Sequence, residues 1–174
     1  MLDLILLKNK YQEIQSVDKL NKDYLLRLYF DFLFQIDKKK INVEQSKFLH
    51  INDGYKIILI SKGDSSCTIY FEILNETVVD IQLNKGGEFL PLQPISDLSD
   101  VYKLRRALSD LFQSVIKEEL FIVENKIKRV KYTVYLNNVN ASSSQEYISS
   151  YGVIFPWQKK VIESKIYGAW LSTD

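Results

Sequence analysis

From Asp23 to Gln35 the chain reads DYLLRLYFDFLFQ, with polar side chains only at Asp23, Arg27, Asp31 and Gln35. A spacing of four puts these residues on one helix face as a narrow stripe and leaves the rest apolar or aromatic. The length favours helix over strand. Three ionised side chains within 13 residues argue against a membrane span, which needs about 20 apolar residues. The segment is therefore expected to be a central, mostly buried helix whose stripe is its solvent edge. Asp23 with Arg27 and Arg27 with Asp31 are favourable pairs four apart, Asn21 is the expected N-cap, and the cations of DKKKIN at 37–42 suit the helix end.

After a polar passage at 42–53 the period changes to two. YKIILIS at 55–61 reads as a strand, and CTIYFEIL at 67–74 faces TVVDIQL at 77–83 across Asn75-Glu76 as a hairpin. In TVVDIQL, Thr77, Val79, Ile81 and Leu83 share one side while Val78, Asp80 and Gln82 share the other, which predicts an antiparallel sheet with one wet face. EFLPLQP is expected at a sheet edge, limited by Pro91 and Pro94. A second, amphipathic helix is expected over about 99–117, capped by Ser99 and sealed by Val101, Leu104, Leu108, Leu111, Phe112 and Val115. ELFIVEN and KIKRVKYTVYLN form a hairpin around Glu124-Asn125-Lys126, NNVNASSSQ at 137–145 reads as a mobile loop, and the aromatic tail reads as a short helix and then a strand. The resulting class is α+β: a mostly antiparallel sheet with the buried N-terminal helix and the second helix packed on one face, in a single globular domain spanning 1–174.

Charge and cysteine content narrow the function classes. The net charge is +1, and Lys/Arg against Asp/Glu run 12 to 15 over residues 1–100 and 11 to 7 over 101–174, giving −3 and +4. That balance provides no long-range field for nucleic acid or anionic lipid, though it leaves room for a local basic patch. The lone Cys67 cannot form an internal disulfide, and MLDLILLKNK is too short and too acidic for a signal peptide. A cytoplasmic, non-membrane protein is expected.

One His, His50, and one Cys cannot build a multi-His or multi-Cys metal site. No GxGxxG, Walker lysine or GxSxG is present, so no cofactor is expected. His50 is expected to be structural or at the surface. Cys67, in phase with Ile69, Phe71 and Ile73, is expected as a buried apolar group. An Mg²⁺-dependent nuclease would use an acid with an acid-x-Lys triplet. Glu124-Asn125-Lys126 with Asp110, and Glu163-Ser164-Lys165 with Glu146, fit in letters, as does Asp37-Lys38-Lys39 alone; with 22 acids and 19 lysines such triplets arise by chance. A nucleic-acid surface is the stronger alternative: Arg129, Lys131 and Tyr135 share one face of the strand at 126–135, where cations could hold phosphates and the tyrosine stack a base.

The feature that leads is aromatic. Tyr147, Tyr151, Phe155, Trp157, Tyr167 and Trp170 fall within 24 residues just beyond the polar loop. Half of them are expected to complete the core, and Tyr147, Tyr151, Phe155 and Trp157 to form a partner surface, since such rings anchor protein interfaces. The expected function is therefore non-catalytic binding of another protein. A compact, nearly neutral chain without active-site motifs resembles, at the level of class alone, immunity proteins and inhibitors that cover a toxin or nuclease.

Overall fold

The computed structural model describes residues 2–84, 87–135 and 144–171. Three helices, α1 (Leu4–Ile14), α2 (Lys22–Leu33) and α3 (Leu98–Gln113), combine with two antiparallel sheets. The first sheet has the order β1-β2-β3-β4-β5, built from Lys47–Ile51, Gly54–Leu59, Ile69–Leu74, Val78–Leu83 and Gly87–Pro94. The second has the order β8-β7-β6-β9, built from Ser144–Ser150, Lys126–Tyr135, Val115–Val123 and Val161–Tyr167. The α+β class with antiparallel pairing is thus observed, with the strands divided between two sheets.

The first sheet is built by clean alternation. Tyr55, Ile57 and Leu59, then Ile69, Phe71 and Ile73, then Val79, Ile81 and Leu83 all point inward, and their neighbours form the half-exposed outer face. Against that inner face lies α2, with Tyr29 stacked on Phe71 at 4.4 Å and Phe32 stacked on Phe112 of α3 at 5.7 Å. Tight turns set the registers. Glu124 (φ 51°) and Asn125 (φ 59°) take the left-handed conformation of a two-residue hairpin, whereas β3 and β4 are joined by three residues, Asn75–Thr77, rather than the two expected. At Gly54 a Cβ would sit 1.8 Å from the Ile73 carbonyl oxygen, so the start of β2 admits only glycine.

Asn21 caps α2 as expected, its side chain accepting from the Tyr24 N–H at 3.0 Å. The polar stripe behaves differently from expectation because α1 lies along it. The Tyr11 hydroxyl donates to Asp31 at 2.7 Å, the Arg27 guanidinium donates to the Gln15 carbonyl at 2.8 Å, and Asp23 accepts from the Tyr55 hydroxyl at 2.7 Å. The stripe is a half-buried seam between elements, and its charges find partners outside α2 in place of each other.

Other corrections follow from local geometry. Asp97, not Ser99, caps α3 by accepting from the Asp100 N–H, and the helix stops at Gln113 because Ser114 turns extended, so Val115 opens β6. β1 occupies part of the passage read as polar, and β8 stands where a short helix was expected. Of the expected loop at 137–145, residues 137–143 lie outside the described residues, while Ser144 and Gln145 belong to β8.

The two sheets meet along β5, where Phe89 packs on Tyr147 of β8 at 4.6 Å. At their junction Glu118, 4% exposed, accepts from the Tyr132 hydroxyl at 2.6 Å, the Tyr167 hydroxyl at 3.0 Å and the Asn84 amide at 3.2 Å. Trp170 closes the same region, donating from Nε1 to the Cys67 carbonyl at 2.9 Å. Both are hydrogen-bonded, as most buried polar groups are.

Candidate interaction surface

The candidate surface is made by the second sheet and the loop that carries the chain from β8 to β9. Those strands lie at opposite edges of the sheet, so residues 151–160 must travel around the β6–β7 hairpin tip. The loop is pinned where it starts: the Tyr151 N–H donates to the Lys128 carbonyl at 2.8 Å. Farther on, Phe155-Pro156-Trp157-Gln158 forms a turn closed twice. The Gln158 N–H donates to the Phe155 carbonyl at 3.1 Å, and the Gln158 side-chain oxygen accepts from the Phe155 N–H at 3.0 Å. Proline at the second position fixes φ for such a turn. The turn tip therefore presents Trp157, which is 78% exposed and stacked on Phe155 with centroids 4.9 Å apart and planes 13° apart.

Of fourteen large hydrophobic side chains exposed among the described residues, eight fall between Ile148 and Ile166. Scattered exposed apolar groups are ordinary, but these are concentrated on the two edge strands of the second sheet and on the loop that joins them. Tyr151, Phe155 and Trp157 are among them. Tyr147 is not: it faces inward against Phe89, its hydroxyl donates to Gln145, and burial, followed by the charge of Asp110, pushes its ionisation up. Ile148, Val153, Val161, Ile162 and Ile166 join the surface without having been singled out in the sequence. Their signal was present in VIESKIY, where the apolar residues Val161 and Ile162 are adjacent, so both faces of one strand end carry one.

Arg129, Lys131 and Tyr135 do share the outer face of β7, but the cations there are engaged. Lys131 pairs with Glu146 at 2.6 Å and with Glu119 at 4.0 Å, and the Arg129 guanidinium lies over the Phe121 ring at 5.8 Å. This face is a mixed-charge lattice, and a phosphate backbone would have to displace its carboxylates.

The acid-x-Lys arrangements come apart. Glu146 on β8 and Glu163 on β9 are separated by two strands, about 14 Å, and their cross-strand partners Thr133 and Leu120 put them on opposite faces. Asp110 acts on Tyr147, which lies level with Glu118, and Glu124 is about 20 Å further along β6. Among the described residues no three of His, Cys, Asp or Glu are placed to hold a metal ion. Cys67 is buried, with its thiol pushed well up by desolvation, and His50 lies exposed on β1 beside Phe48 and Tyr55.

An apolar cavity of about 310 Å³ lies between α1 and α2, lined by Leu4, Tyr11, Leu33, Phe34 and Ile41 with Lys8 and Lys38. No described helix is long and apolar enough to cross a membrane. Comparison with protein-family models, with curated proteins and with solved structures finds no match.

Proposed function

We propose that this chain is a protein-binding module acting without catalysis, and that its anchor is the Phe155–Trp157 turn. The observation that supports the reading is the stacked, outward-facing ring pair on a turn fixed by Pro156 and Gln158. A rigid aromatic of this kind loses little conformational entropy on binding and supplies a large contact area, the usual profile of an interface hot spot. The surrounding charges select the partner. Lys126, Lys128, Lys159 and Lys160 flank the loop against Glu124, so the complementary surface is apolar at its centre and acidic at its rim. An inhibitor or immunity-type role is the form this binding takes if the target is a toxin or nuclease, with the added condition that its docking face carries acids. A phosphate-binding face would be repelled. The single buried thiol suits a reducing compartment, and we place the binding in the cytoplasm.

Affinity capture with the tagged full chain tests the reading, run with and without nuclease and repeated with Trp157→Ala and with Lys159→Glu plus Lys160→Glu. A protein partner that survives nuclease should lose about thirtyfold in affinity with Trp157→Ala, the size of an interface hot spot. The charge reversal should weaken capture further and flatten its salt dependence. Capture unchanged by either variant removes the surface, and capture abolished by nuclease moves the function to the Arg129–Lys131 face.

A further inference from the structure

β9 ends the second sheet, with β6 on one side and, among the described residues, no strand on the other. Every residue from Val161 to Ile166 is exposed, and Tyr167 alone is buried. An edge of this length with apolar side chains is a template for pairing with another strand, and proteins ordinarily blunt such edges. The other edges are handled. β5 carries Pro91 and Pro94, β8 runs beside β5, and β1 is a short strand.

The residues of β9 indicate what covers it. Read as Ile162-Glu163-Ser164-Lys165-Ile166, the strand is a charge palindrome. In an antiparallel pair of two copies centred on Ser164, Ile162 stands opposite Ile166 of the second copy, Glu163 opposite Lys165, and Ser164 opposite itself. Residues directly across an antiparallel pair have neighbouring Cβ atoms, so apolar meets apolar and each carboxylate meets an ammonium, twice. No such match arises at β1, where pairing about Leu49 sets Lys47 against Ile51 and Phe48 against His50. We infer that β9 is a self-complementary edge through which two copies of this chain associate about a two-fold axis at Ser164, joining their second sheets into one of eight strands.

The fold also fixes the length of the contact. Just past Tyr167 the Gly168 N–H donates to the Ser65 carbonyl at 2.8 Å, and Gly168 bridges to Ser66, so the chain leaves the edge there and pairing runs over Ile162–Ile166. Lys165 shares a face of β9 with Glu163 and Tyr167, its ammonium 4.9 Å from the Tyr167 ring, and directly opposed residues of the antiparallel pair would meet on that face. The Phe155–Trp157 turn stays outside this contact. Dimerisation therefore leaves the Phe155–Trp157 anchor of the partner binding proposed above exposed, while it covers Ile162 and Ile166.

A charge-swap cycle read by sedimentation equilibrium on the full chain tests the inference. Wild type should show a concentration-dependent monomer–dimer equilibrium. Glu163→Lys or Lys165→Glu alone turns two attractive pairs into two repulsive ones and should weaken the dimer about thirtyfold. The double swap should restore it. Ser164→Cys should give a disulfide-linked dimer under oxidation, since cross-strand residues on the axis lie within disulfide reach and Cys67 is buried. Trp157→Ala should leave the equilibrium unchanged. Circular dichroism confirms that each variant is folded, which is expected because all three altered positions of β9 are exposed. A wild type monomeric at every concentration, a dimer indifferent to the single reversals, or a Ser164→Cys variant that does not link to its copy each overturns the inference.

Discussion

The two sheets use the same antiparallel ladder and nearly the same alternation, yet they solve opposite problems. In the first, strands β2, β3 and β4 all put their large apolar side chains inward under α2, and the outer face carries cross-strand charge such as Lys56 with Glu72. In the second, β6 and β7 follow that rule, while the edge strands β8 and β9 put Ile148, Ile162 and Ile166 outward. Burial on one face is what folding requires; apolar groups on the second face cost solubility without adding to the core. The first sheet supplies most of the core under α2, and the second carries the exposed apolar groups on which the proposed binding rests.

Substitutions can break that division, and the largest effect belongs to the helix–sheet core. Phe71→Ala removes the ring stacked on Tyr29 and should cost about 3–5 kcal/mol by urea unfolding. Glu118→Gln comes next. It keeps the shape at the sheet junction but weakens the acceptance from Tyr132, Tyr167 and Asn84, for a loss of about 1–3 kcal/mol. If Glu118→Gln matched wild type, the carboxylate would add nothing to the junction beyond what a neutral amide supplies beside the Tyr132–Leu83 and Trp170–Cys67 hydrogen bonds.

Alkaline pH probes the same contrast with a known sign. Burial holds the Tyr29 hydroxyl far above its ordinary value of 10.0, and burial, with the hydrogen bond to Asp23 second, does so for Tyr55. A raised folded-state value means that the stabilisation is complete below the unfolded value and is lost as pH rises beyond it. Unfolding free energy should fall steadily above about pH 10, led by Tyr55 on the first sheet and Tyr29 on the helix packed under it. Cys67 adds to the same trend from its ordinary value of 9.0 upward. Tyr55→Phe should soften the decline.

How much of this could be read from the residues depended on whether the cause was local. The polar stripe gave away α2, and Asn21 its cap, because period and capping are properties of neighbours in sequence. The stripe's partners on α1 were invisible, since Tyr11 and Gln15 reach it only through tertiary packing. The end of α3 was misplaced because Val115 continues the helical seam of Leu111 and Phe112 while also beginning a strand, and only the extended Ser114 decides between them. The division into two sheets was equally hidden: it is set by which edges meet after α3 intervenes, a non-local choice. The aromatic cluster was legible as a group, but Tyr147 sits on a strand whose phase turns it inward, whereas Pro156 and Gln158 turn Trp157 out.

The smallest expected effect is the most discriminating. Trp157→Ala removes the largest exposed ring, and because that ring touches little beyond Phe155, stability should stay within about 0.5 kcal/mol of wild type by urea or thermal unfolding. Ile148→Ala should behave alike. In an ordinary core, truncating a tryptophan costs about 3–5 kcal/mol, so the two outcomes are well separated. A loss of that size would mean that the turn is folded against the hairpin tip and completes the core, which would return the second sheet to the same role as the first. No loss leaves a bulky aromatic held in water by Pro156 and Gln158 with no benefit to folding, and its expense is then accounted for by what it binds.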